Sequence, residues 1–298
     1  MRPLISFDWA IKRLLRQKSN FGILEGFLSV LLNEDIKIIS IPESESNGDS
    51  ADDKVNKVDI LCETKDKKLI LIELQYNSEN DYFHRMLFGV SKIITNYMLQ
   101  GYTYDQVKKV ISINIVYFDL GQGKDYVYYG NTEFKGLHFK DTLEISNNQK
   151  DLFSIGQVKD IYPEYYIIKV NRFNDVSKNS LDEWIFYLKN NALPEHYSAK
   201  GLDLVYNKLK IDDMDNVSKI QYDAHQKELA ITYGVIETAK YEGKVEGKAE
   251  GKAEGILENA IKTVVNAFKA NLPLETISVI TNLNSEEIND ILRKKGLI

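Results

Sequence analysis

The sequence predicts an α/β protein with a helical C-terminal extension, and three observations carry that expectation. Two apolar, β-prone runs at 58–61 and 69–75 flank the polar stretch Lys65, Asp66, Lys67 and Lys68, the pattern of two strands joined by a turn. Segments on either side of this hairpin repeat apolar side chains at a spacing near 3.6, the period of a helix with one buried face. Beyond residue 172 the strand-like runs stop and helical spacing takes over.

Taken in order, residues 7–18 and 21–33 are expected as helices, with Asn20 and Gly22 at the break between them. Residues 36–41 form a short strand and 42–53 a polar, acidic loop rich in Ser, Asn and Gly. Strands over 55–63 and 69–75 follow, then a helix over 81–100 and a buried strand over 110–118. Aromatic, β-rich pieces at 126–134, 137–145 and 165–170 extend the sheet or cover it. Leu181, Trp184, Ile185 and Leu188 then fall on one helical face, and Leu202, Val205, Tyr206 and Leu209 on another, as in a helical cap. The domain boundaries that follow are a core over 1–172, a cap and the start of a long helix over 173–240, a Glu-Gly-Lys repeat over 241–255, and a small helical module over 256–298.

The chain's 298 residues, 43% of them apolar, can bury one sizeable core and carry an appendage. The single cysteine, Cys62, excludes an internal disulfide framework and, at an apolar strand position, is read as packing in a reducing compartment. No apolar run of about 18 residues occurs, so no membrane span is expected. Arg2, Asp8, Lys12 and Arg13 interrupt what would be a signal peptide's apolar core, which places the chain in the cytoplasm. The net charge of -6 does not advertise nucleic acid. Basic residues nevertheless crowd Arg2, Lys12, Arg13, Arg16 and Lys18, and Lys54, Lys57, Lys65, Lys67 and Lys68 surround the hairpin. They read either as a path for phosphates or as an ordinary solvated surface.

The hairpin carries the chemistry. Asp59 and Glu73 lie inside or beside apolar strands, where a carboxylate is costly unless compensated. Two such groups brought together across a hairpin repel each other, and a divalent cation with a preference for hard oxygen ligands is the usual compensation. Strand alternation sends Glu73 and Gln75 to one face while Leu74 points to the other. Asp59 followed at a distance by Glu73, Leu74 and Gln75 resembles the PD-(D/E)XK nuclease superfamily, specifically its Rpn branch of recombination-promoting nucleases and transposase-type proteins, with glutamine where the wider superfamily has lysine. Phe7, Asp8 and Lys12, the helix from Glu25 to Leu32, and the helix from Arg85 that ends before Gly101, Tyr102 and Tyr104 add to the resemblance, which covers roughly the first half of the chain.

The resemblance implies a restriction-endonuclease-like mixed sheet flanked by helices and a metal-dependent DNA endonuclease that promotes recombination or mobile-element movement. It further implies that Asp59, Glu73 and the backbone carbonyl of Leu74 hold Mg²⁺, with Mn²⁺ as a substitute, and that Gln75 orients the attacking water or the phosphate. Gln75 can neither act as a base nor carry positive charge. Glu25 is the candidate for a helix-borne acid completing the metal site, or simply an acid in a helix's first turn. Lys12 pairs with Asp8 one turn away or contacts substrate phosphate, and Arg85, beside His84, grips phosphate or is merely solvated. His138, His196 and His225 have no metal-ligand spacing. Two alternatives stand beside the enzyme: a catalytically weak DNA-binding protein, and an assembly protein that uses the same fold as a scaffold.

In the tail, Gly243, Gly247, Gly251 and Gly255 recur every fourth residue, each after a Glu and the first three before a Lys. They suit a soluble helix–helix contact that could support a homo-oligomer, or a flexible charged linker, since each glycine costs a helix about 1 kcal/mol. Leu274 to Ile280 and the stretch capped by Ser285 read as helix, turn and helix, with Glu286, Glu287 and Asp290 on the second favouring protein packing over a DNA groove.

Overall fold

Lys67 takes the left-handed conformation (φ 61°) that closes the turn after Thr64, and its N–H donates to the Thr64 carbonyl at 2.9 Å. The computed structural model describes residues 4–15, 17–41, 59–98 and 102–298. On either side of this turn β2 (Ile60–Thr64) and β3 (Leu69–Gln75) pair antiparallel, with Ile60 opposite Ile72 and Leu61 opposite Leu71. The other strands are β1 (Ile38–Ser40), β4 (Val110–Val116), β5 (Val127–Gly130) and β6 (Glu164–Lys169). They form one open mixed sheet in the order β1-β2-β3-β4-β6-β5. The β3–β4 and β4–β6 pairs are parallel and the rest antiparallel. A parallel neighbour needs a crossover, and the helix α3 (Tyr82–Tyr97) supplies it between β3 and β4.

Both faces of the central strands are buried, as a parallel sheet covered by helices requires. Val90 and Ile93 of α3 pack on Leu61, Leu69, Leu71 and Val110. The opposite face, Ile60, Cys62, Ile70, Ile72, Ile111, Ile113 and Ile115, is equally dry. On the helical side, α1 (Phe7–Arg13), α2 (Phe21–Leu32) and α5 (Ser180–Asn190) share an aromatic cluster, and α6 (Leu202–Lys208) packs on α2. Phe7, Phe27, Trp184 and Tyr187 meet there mainly edge to face, with centroids 5.4 to 6.4 Å apart. The Tyr117 hydroxyl donates to the Leu188 carbonyl at 2.9 Å and ties α5 to the sheet.

These late helices are woven into the core. Tyr187 donates to the Ile5 carbonyl, and the Ile5 N–H donates to the Leu209 carbonyl, so the N-terminal segment is stitched between α5 and α6. The chain accordingly divides into two compact units at 220/221, Met1–Ile220 and Gln221–Ile298. Gly26 is where α2 meets the start of α6: a Cβ there would stand 2.4 Å from the Lys200 carbonyl oxygen and 2.6 Å from the Gly201 Cα. Backbone cannot yield as a side chain does, so Gly26→Ala is expected to destabilise the protein by about 1–3 kcal/mol or more, read as a lower midpoint in urea denaturation.

Several boundaries differ from expectation. The first helix ends at Arg13 rather than 18, because the Asn20 amide donates to the Leu14 carbonyl at 3.0 Å and turns the chain. The strand expected over 55–63 is described from Ile60; its start, the loop 42–53 and the end of the 81–100 helix beyond 98 lie outside the described residues. The 137–145 piece is no strand: an isolated Lys135–Thr142 bridge closes a loop that leaves Leu137 and Phe139 exposed. A short helix α4 (Asn147–Phe153) with a Ser146 capping box follows it.

The long helix α7 (Asn216–Lys269) starts before Gln221, where the Asp215 carboxylate caps the Ser218 N–H at 2.8 Å. The Glu-Gly-Lys repeat lies inside this continuous helix rather than in a flexible linker, and nothing stands within 4 Å of its four glycines' missing Cβ positions. The second unit has its own small core: Val264 and Ala267 of α7 pack with Ile277 of α8 (Leu274–Thr281) and Ile288 and Leu292 of α9 (Ser285–Lys294). The cap of α9 is Asn284, not Ser285, because its side chain accepts the Glu287 N–H at 2.9 Å while the Glu287 carboxylate accepts the Asn284 N–H at 2.8 Å. Among the described residues no helix is long and apolar enough to cross a membrane.

Candidate functional site

Register decides which side chains can meet at the open end of the hairpin. With Ile60 opposite Ile72, the next position places Asp59 opposite Glu73 on the face that carries Leu61 and Leu71. Asp59 stands just before β2 begins, and its Oδ2 accepts the Leu74 N–H at 2.7 Å in place of a ladder bond. The N–H and C=O of an extended residue leave the same strand edge, so the Leu74 carbonyl is directed toward this side too. Glu73 is 7% exposed. Burial foremost, then the Asp59 charge, push its carboxyl up to about 7, and Arg85 opposes them.

Gln75, two residues on, lies on the same face. Its Nε2 donates to Glu79 Oε1 at 2.7 Å and to the Asn77 carbonyl at 3.2 Å. Arg85, in the first turn of α3, donates from Nη1 to the same Glu79 Oε1 at 2.8 Å and reaches Glu73 Oε2 from Nη2 at 3.5 Å. The structure thus brings Asp59, Glu73, Leu74, Gln75 and Arg85 together, and adds Glu79 from the β3–α3 loop.

A buried polar row lies alongside Glu73. Asn114 of β4 pairs with Glu73 in parallel register and Ser112 with Leu71, so both share the site's face. Asn114 accepts from the Tyr82 hydroxyl at 3.3 Å and donates to Ser112 Oγ at 3.0 Å and the Tyr166 carbonyl at 3.3 Å. Burial, with the Glu73 charge next, raises the Tyr82 phenol and keeps it a neutral donor. Sequence reasoning missed Glu79, Tyr82, Ser112 and Asn114. Ser112 and Asn114 left a signal, as two polar residues at alternate positions of an otherwise apolar strand; Glu79 left none.

Glu25 does not join the site. Its Oε1 accepts the Ile38 N–H and its Oε2 the Lys37 ammonium, each at 3.0 Å. Ile38 pairs with Thr64, at the end of β2 remote from Asp59 and roughly 16 Å along the strand at about 3.3 Å per residue. The hairpin lysines are displaced for the same reason. Lys65, Lys67 and Lys68 sit at the closed end of the hairpin, where Lys68 pairs with Glu34 at 2.8 Å. Arg2, Arg16, Lys54 and Lys57 lie outside the described residues, as does the side chain of Lys12, whose backbone lies in α1. Cys62 donates to the Ile70 carbonyl inside the sheet, and burial pushes its thiol up to about 12, so it packs and does not react.

Among the described residues no three His, Cys, Asp or Glu side chains cluster as a metal cage. Asp59 and Glu73 with a carbonyl oxygen nevertheless fit a hard cation of the Mg²⁺ type, which keeps several waters and is held by one or two carboxylates plus substrate phosphates. A four-ligand zinc site is a different arrangement. A family model described as "PD-(D/E)XK nuclease family transposase" matches residues 5–239 of the chain. No curated protein and no solved structure matches it.

Proposed function

The chain belongs to the PD-(D/E)XK nuclease family transposases, and from that premise we propose that it is a metal-dependent DNA endonuclease whose cuts promote recombination or mobile-element movement. The observation that carries this reading is the Asp59–Glu73 pair, set opposite each other across the hairpin, with the Glu73 carboxyl pushed up to about 7 by burial and then by the Asp59 charge. Asp59, Glu73 and the Leu74 carbonyl would hold Mg²⁺, or Mn²⁺ in its place. When bound, such a cation supplies Lewis acidity, making a coordinated water more acidic and neutralising charge at the scissile phosphate.

The chain's own side chains do the positioning. Leu74 N–H fixes one oxygen of Asp59. Gln75, whose amide N–H groups are held by Glu79 and the Asn77 carbonyl, leaves its carbonyl oxygen to orient the attacking water, and Arg85 brings a guanidinium whose remaining N–H groups suit phosphate oxygens. Lys12 is retained as a second phosphate contact. The cytoplasm is the expected compartment, and the tail is assigned to self-association.

Cleavage of supercoiled plasmid by the full chain tests the reading. Nicked and linear products are expected with Mg²⁺ or Mn²⁺ and none with EDTA. Gln75, which carries no charge and already donates to Glu79, favours one second reading, a DNA-binding protein of weak catalysis. That reading gains if the folded protein binds DNA in a salt-sensitive way but leaves the plasmid intact with every cation.

A further inference from the structure

Two of the site's donors converge on one oxygen. Glu79 Oε1 accepts from Gln75 Nε2 at 2.7 Å and from Arg85 Nη1 at 2.8 Å, and the other end of the Arg85 fork reaches Glu73. The guanidinium carbon also stands 6.0 Å from the centroid of the Tyr82 ring. Arginine and glutamine are among the side chains that lose most rotamer freedom on ordering. Gln75 ends β3, where the Asn77 carbonyl also accepts from its Nε2 at 3.2 Å, and Arg85 lies in the first turn of α3. A carboxylate placed between them restrains both with charge-assisted or short hydrogen bonds.

We propose that Glu79 is a positioning residue of this centre. Its carboxylate locks the Gln75 amide and the Arg85 guanidinium into one unit beside Asp59 and Glu73, where a phosphate would be held. Glu79 acts through these two groups, which both donate to its Oε1, and cation titration separates this role from that of a metal ligand. The assignment rests on the nuclease reading above and adds to it the residue that sets the geometry of Gln75 and Arg85 on the phosphate side.

Four full-length variants test it: Glu79→Ala, Glu79→Gln, which keeps an acceptor oxygen, Gln75→Ala, and the double variant Gln75→Ala/Glu79→Ala. Single-turnover cleavage over a range of DNA concentrations gives the maximal rate and the half-saturating DNA concentration. Calcium titration calorimetry reports cation binding without turnover, and thermal melting reports the fold. Glu79→Ala is expected to lower the maximal rate about 10- to 100-fold, the scale on which residues that orient others act. Calcium affinity should change by less than about threefold and the melting curve should stay cooperative. Glu79→Gln should recover most of the loss, and the double variant should be no slower than the slower of the single variants, as groups acting as one unit behave.

A Glu79→Ala rate within about twofold of wild type overturns the proposal, as does strict additivity with Gln75→Ala. Loss of calcium binding in parallel with rate makes Glu79 a cation ligand instead, and loss of the cooperative melt makes it structural. Absence of metal-dependent cleavage by folded wild-type protein is the separate failure of the nuclease reading, and the positioning role falls with it.

Discussion

Asp59→Ala and Glu73→Ala are each expected to abolish metal-dependent plasmid cleavage, lowering the rate by at least about a thousandfold, while the protein stays folded. The magnitude follows from the several kcal/mol that a bound cation contributes to the transition state, at tenfold per 1.4 kcal/mol. The two variants should differ in stability. Asp59→Ala leaves the Leu74 N–H without its acceptor, a cost of about 1 kcal/mol. Glu73→Ala removes a buried carboxyl that repels Asp59, and its loss of packing is offset by the loss of that repulsion. Circular dichroism and thermal melts beside the cleavage assay separate loss of chemistry from loss of fold. Cleavage at wild-type rate by either folded variant would sink the assignment of this pair.

Without divalent cation, stability is expected to fall as pH rises from about 5 to 8. The Glu73 carboxyl has an ordinary value of 4.5 and stands near 7 in the folded protein, raised by burial first and by Asp59 second. Between these values the folded state holds a proton that the unfolded chain has released. Stability is therefore greatest below the lower value and declines until the higher one is passed, by up to about 3 kcal/mol at about 1.4 kcal/mol per unit. Asp35, Asp175 and Asp215 are shifted down, foremost by hydrogen bonds to Lys200, to Asn190 and to the Ser218 backbone, and so act in the opposite sense below their ordinary 3.8. The two windows do not overlap. Glu73→Gln should flatten the decline between pH 5 and 8 in urea titrations with EDTA. Mg²⁺ at about 100 times its dissociation constant should stabilise wild type by about 2.7 kcal/mol and leave Glu73→Gln nearly unmoved. An unchanged slope in Glu73→Gln would assign the pH dependence to another group.

Much of the sheet was legible because its signals are local. The hairpin at Lys65 to Lys68, the alternation of Glu73 and Gln75 against Leu74, and the apolar run of β4 were all visible in the residues. The β1–β2–β3–β4 portion and its crossover helix follow that reading. The tail was legible in part: helical spacing marked α8 and α9, while the choice between helix and linker at the Gly repeat was left open by glycine's cost and resolved in favour of helix. The aromatic stretch after β5 misled, because exposed Leu137 and Phe139 imitate strand alternation without a face to bury.

By itself the sequence determined the acidic pair, the face on which it stands and the amide beside it. These depend on a period-two strand and a four-residue turn, both fixed by neighbours in the chain. Only the tertiary structure decided what surrounds the pair. It drew Arg85 and Glu79 onto Gln75, set Asn114 beside Glu73 across a parallel ladder, and sent Glu25 and the hairpin lysines to the far end of the sheet. Those placements depend on which strand edge and which helix end meet across long stretches of chain, and residue spacing along a sequence carries no record of that.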